Sequence, residues 1–180
     1  MDTPETSSPA INAKYDWFSD HNEMVVMYQK ESVRAAALLA ASFLENEMKK
    51  RILDFLVNEE SSAKLFEPYH PLSTFSGLVE VTFALGFLLR AMLSDLTLIR
   101  KIRNYFAHHP KHVTFEQAPV SDWCRELTTA KGIPTQGGEP CRQDNARDQY
   151  LFTIAMVLVY FDRFVGAMVR RVVPEQALSQ

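Results

Sequence analysis

The chain has 180 residues, 47% of them hydrophobic, which is ample for one domain with a buried core and short for two. Its formal net charge of −3 excludes a general electrostatic pull toward nucleic acid, so any RNA or DNA contact needs a local basic patch. Two cysteines, Cys124 and Cys141, with no CxxC pairing, argue against a disulfide framework and a zinc module; they read as reduced residues of a cytoplasmic chain.

The first segment, MDTPETSSPAINAKY, is acidic and polar and lacks the basic start and apolar run of a secretory signal. Residues 1–19 read as a flexible tail, 20–173 as one domain and 174–180 as a second tail. From about His21 to Asn58, apolar residues recur at helical spacing among Glu and Lys with no Pro or Gly between them. This predicts one long helix or two in succession. The small residues of RAAALLAAS permit a neighbouring helix to approach closely, and ordinary bundle packing is sufficient reason for them. The proline-containing EPYHPLST is a loop, and Ser73 or Thr74 caps a helix through FSGLVEVTFALGFLLRAM, whose continuity Gly77 and Gly86 weaken. Ser94 is placed as the cap of a further helix, DLTLIRKIRNYFAHH, with Asp95 in its first turn and Pro110 ending it near His108.

A short helix at VSDWCREL precedes the loop TAKGIPTQGGEPCRQDN, and a last helix runs from about Ala146 to Val173. Its apolar stretch is broken by Asp162 and Arg163, and the uncharged run before them is too short to span a bilayer, so no membrane span is expected. Aromatic residues cover more than one side of this helix, which makes it central or shared with a second subunit. The methionines on helical segments, such as Met24, Met27, Met48 and Met92, read as core filler. No strand alternation or internal repeat is visible. The fold class is all-α, a single-domain bundle of four to five principal helices.

The polar residues of IRKIRNYFAHHPKH raise the functional question. At about 100° per residue, Leu98, Ile99, Ile102, Tyr105 and Phe106 share an arc of roughly 120° suited to burial. Arg100, Asn104 and His108 lie opposite, flanked by Lys101 and Arg103. His109 would point to the core only if the helix continued, and Pro110 disfavours helical geometry there, so His108 is the partner chosen for Arg103 and Asn104. A permanently cationic Arg and a proton-exchanging His suit RNA cleavage without metal. His108 would move a proton to or from the 2′-hydroxyl or the leaving oxygen, and Arg103 would stabilise charge on the phosphoryl oxygens. Arg103 and His108 diverge by about 140° on one helix, so a second subunit would have to supply the opposing pair. The plain structural alternative is that Asn104 and His108 brace a loop while Arg103 pairs with an acid such as Glu80 or Asp95. HHPKH brings His108, His109 and His112 together around a helix end with only Glu116 nearby, so no metal site and no cofactor is expected.

Residues 71–110, PLSTFSGLVEVTFALGFLLRAMLSDLTLIRKIRNYFAHHP, resemble the mannitol operon repressor family. TFS, ALG, the DL pair and the terminal IRKIRNYFAH all look like its central signature, and the flanking helices extend the resemblance over residues 20–173. It implies a transcriptional regulator without a DNA-reading module of its own, acting through a protein partner. LENEMKKRI is basic but reads as a solvated helix face, so direct sequence-specific DNA binding is not expected. RNYFAH also resembles the Arg-x4-6-His element of the HEPN superfamily, all-α domains found in RNA-cleaving proteins. That resemblance implies a HEPN-like homodimer with Arg103, Asn104 and His108 as catalytic residues and Arg100 and Lys101 contacting RNA. The two resemblances give a regulator first and a metal-independent endoribonuclease as the alternative.

Overall fold

A computed structural model describes residues 16–56, 59–109, 113–131 and 145–167. The described residues are all-helical: α1 (Asp16–Gln29), α2 (Val33–Phe55), α3 (Glu59–Lys64), α4 (Phe75–Ala84), α5 (Arg90–His108), α6 (Val120–Glu126) and α7 (Ala146–Tyr160), which runs into a π-helical turn over Phe161–Val165. Helix α1 starts earlier than the His21 read from the sequence, and the predicted end of the last helix at Val173 lies outside the described residues.

The predicted long helical stretch is two helices in succession. Ser32 makes the break, its Oγ accepting from the Ala35 amide at 3.2 Å as the N-cap of α2. Arg147 closes the other side, donating at 2.7 Å each to the carbonyls of Glu31 and of Tyr28, the latter also accepting the Glu31 amide at 3.3 Å. Along α2 the small side chains Ala36, Ala37, Ala40 and Ala41 are all buried. Their size lets α7 come close enough for the Tyr150 hydroxyl to donate to the Ala37 carbonyl at 2.8 Å.

Thr74 is the cap of α4, accepting from the Gly77 amide at 3.1 Å. A side chain at Gly77 would run into the Pro71 carbonyl oxygen, so this glycine permits the loop to cross the first turn of the helix. The predicted continuation through FLLRAM does not occur: Gly86 adopts φ +75°, its amide donates to Phe83 O at 2.9 Å and that of Phe87 to Thr82 O at 3.0 Å. These two bonds form a Schellman motif, in which the left-handed residue stops the helix.

Helix α5 therefore starts at Arg90, and the Ser94 cap is corrected. Ser94 lies one turn inside, and Asp95, placed by the sequence in the first turn, lies beyond it and is fully buried. Tyr28, Ala36, Leu44, Ile99, Phe106 and Phe115 are among the residues closing one core around α2, α5 and α7. Helix α1 packs on α7 and α2, α4 on α2 and α5, and α6 on α5 and α7. Helix α7 is central, with Tyr150, Leu151, Ile154, Val157 and Leu158 buried on different sides. Met24, Met48 and Met92 fill core positions, whereas Met27 is exposed. No helix of the described residues is long and apolar enough to cross a membrane.

Candidate functional site

Helix α5 carries the candidate residues, and its apolar side anchors it. Leu98, Ile99, Ile102 and Phe106 are buried as the periodicity predicts, with Tyr105 half-buried at the edge. On the other side Arg100, Arg103 and Asn104 are half-buried, and Lys101 and His108 are exposed. Arg103 Nη1 donates to Asn104 Oδ1 at 3.1 Å, so the two neighbours form one polar unit. Neither Glu80 nor Asp95 pairs with Arg103 among the described residues. Asp95 instead receives the amides of Thr128 at 3.0 Å and Thr129 at 2.6 Å, together with the Thr128 hydroxyl.

Burial raises the Tyr150 phenol far above its ordinary pKa, the Cys124 thiol adds to that rise, and the positive charge of Arg103 acts against it. The α-helix is continuous through Arg103, Asn104 and His108, so the roughly 140° between Arg103 and His108 stands. One copy of α5 places a cation and an imidazole on diverging sides.

His109 does not enter the core. It leaves the helix at φ −109° and ψ 91°, stacks on Tyr105 with ring centroids 3.9 Å apart, and its Nδ1 lies 3.0 Å from the Tyr105 carbonyl oxygen. Tyr105 in turn meets Trp123 of α6 edge-on at 5.7 Å. Arg34, from α2, holds this corner: it donates to the carbonyls of Phe106 and His109, the latter at 2.6 Å. A guanidinium on terminal carbonyls satisfies acceptors the helix cannot and complements its dipole.

Arg34 and Asp95 are the residues that sequence reasoning missed. The signal for Arg34 is a lone arginine beside the buried alanines of VRAAALLAAS, and for Asp95 its place on the same side as Ile99 and Ile102. His112 and Cys141 lie outside the described residues, and among the described residues no group of three or more His, Cys, Asp or Glu converges as a metal would need. Comparisons with family models, curated proteins and solved structures give no match.

Proposed function

We propose that this chain is a transcriptional regulator of the mannitol operon repressor type that acts through protein contacts and does not read DNA itself. The reading rests on the resemblance of residues 71–110. What supports the absence of direct DNA reading is how the arginines are used. Arg34 and Arg147 are engaged by main-chain carbonyls, Arg51 by Glu47, Asp54 and Asp162, and Arg125 by Asp122. Cations held in this way are not free for phosphate, and a DNA-binding face needs several acting together. With a net charge of −3, the basic residues Arg100, Lys101 and Arg103 make a patch rather than a platform.

The test is to compare operon DNA recovered with the chain from cells against protection of the same DNA by the purified chain. Recovery from cells without protection by the purified chain is the expected pair of results. Protection by the purified chain alone would overturn the indirect mode.

A second reading is favoured by one observation: Arg103 has no acid partner among the described residues, and exposed His108 follows it by little more than a turn. In that reading a homodimer brings Arg103 of one copy opposite His108 of the other, Asn104 orients the guanidinium, and Arg100 and Lys101 hold the RNA backbone. His108 exchanges the proton and Arg103 stabilises the phosphoryl charge, with no metal required. Cleavage of a mixed RNA pool in EDTA by wild type, lost in folded His108→Ala and Arg103→Ala, is the expected result for this reading. Equal background from all three proteins would remove it.

A further inference from the structure

The backbone groups at the break between α1 and α2 can be satisfied in two ways. From His21 to Asn58 no Gly or Pro interrupts the helical spacing, and Gln29, Lys30 and Glu31 at the break are favourable helix formers. The chain nevertheless turns here, on few contacts. The Lys30 amide donates to Met27 O at 3.2 Å and the Glu31 amide to Tyr28 O at 3.3 Å, Ser32 caps α2, and Arg147 donates to the Tyr28 and Glu31 carbonyls. In a continuous helix those two carbonyls would accept the amides of Ser32 and Ala35, four residues on. The Val33 and Arg34 amides, which the start of α2 leaves without helical partners, would gain them.

The packing of α1 does not depend on which copy of α7 it meets. Helix α1 buries Met24, Val25 and Tyr28 and packs on α7, with Gln29 donating to Asp148 at 2.7 Å. Straightened, Asp16–Phe55 would be one helix about 60 Å long, which carries α1 clear of its own α7. The same apolar side chains then fit the α7 that a second copy has vacated in the same way. Contacts away from the break are alike in the two arrangements, so the break itself and the protein concentration set the balance.

We infer that the α1–α2 break is a hinge whose straightening exchanges α1 between two copies of this chain, with Arg147 as the latch that favours the closed monomer. This goes beyond the regulator reading and does not depend on it. Ser32 marks the hinge point: its φ of −59° and ψ of 152° suit a residue that precedes proline. Val33→Pro therefore fits the closed form, where position 33 is the first of α2 and its N–H has no helical partner. It blocks the straight helix, in which that N–H would bond Gln29 O. Ser32→Ala acts in the opposite direction, removing the cap and favouring helix through the break.

The test measures molar mass by sedimentation over a range of concentrations, and amide exchange by NMR, on the full chain. Wild type is compared with Arg147→Met, with Ser32→Ala and with each of these combined with Val33→Pro. The expected result is an association constant at least about tenfold above wild type for Arg147→Met, and a smaller rise for Ser32→Ala. In those dimers the Val33 and Arg34 amides exchange slowly, as inside a helix, and Val33→Pro returns both chains to monomer. Ser32→Ala keeps the test decisive if Arg147→Met loses its helical circular dichroism. Association of either folded variant no stronger than wild type, dimers whose Val33 and Arg34 amides still exchange freely, or dimers that survive Val33→Pro would overturn the exchange of α1.

Discussion

Replacing Asp95 by Asn tests how the corner that carries the candidate site is held. The Asp95 carboxylate is wholly buried and is the acceptor for two backbone amides, those of Thr128 and Thr129, and for the Thr128 hydroxyl. An amide side chain retains one oxygen and turns an NH2 toward a donor that needs an acceptor. One charge-assisted bond is lost and an amide is left without a partner, together about 2–4 kcal/mol. For a domain of this size that lowers the melting temperature by roughly 5–15 °C. Circular dichroism gives the thermal shift, and hydrogen exchange should show faster exchange at the Thr128 and Thr129 amides than at those in the middle of α2. A loss below about 1 kcal/mol with both amides still protected would refute the role assigned to Asp95.

Arg34→Met removes the guanidinium from the Phe106 and His109 carbonyls while keeping much of the side-chain bulk, and should cost about 1.5–3 kcal/mol, read by chemical denaturation. Gly77→Ala places a Cβ against the Pro71 carbonyl and should destabilise by about 1–3 kcal/mol, whereas an ordinary exposed helix glycine would gain from the same change. Burial pushes the Cys124 thiol up to about 12 from 9.0, with nearby Arg125 opposing the rise and Glu116 adding to it. Because the folded value lies above the unfolded one, the thiol's contribution is intact below pH 9 and is lost as pH rises from 9 through 12. The unfolding free energy of wild type, read by chemical denaturation, should therefore fall more between pH 8 and pH 10.5 than that of Cys124→Ala, by roughly 2 kcal/mol. Equal falls would contradict the burial of that thiol.

The helical class, a cap at Ser73 or Thr74, the start of α7 near Ala146 and the buried side of α5 were legible because each depends on local chemistry or a 3.6-residue period. Asn145 accepts from the Asp148 amide at 2.8 Å, the pattern expected of an Asn just before a helical run. The break between α1 and α2 was hidden because neither Gly nor Pro marks it. Ser32 caps α2, and the carbonyls before it are met by Arg147, 116 residues away from Glu31 in sequence. The start of α5 was misplaced for a related reason. Ser94 and Asp95 have the residue types of a helix start, but Gly86 had already ended α4, and Asp95 is needed as an acceptor for residues 33 and 34 positions later. Pro110 marked the end of the helix at His108, but the stack of His109 on Tyr105 and its contact with Arg34 have no signature in the sequence.

For the candidate site, the sequence identified the helix and its polar side, on which Lys101 and His108 are exposed and Arg100 and Asn104 half-buried. It did not reveal that Arg103 bonds Asn104, since side-chain pairing between adjacent residues has no periodic signature.

Genome-wide transcription in cells lacking the chain, read against the same cells supplied with wild type for an operon that responds, is the most direct measurement of the regulatory proposal. A rise on loss of the chain and its reversal by wild type, with purified chain giving no footprint on the operon DNA, is the predicted result. Transcription that is unchanged by removing or restoring the chain would contradict it.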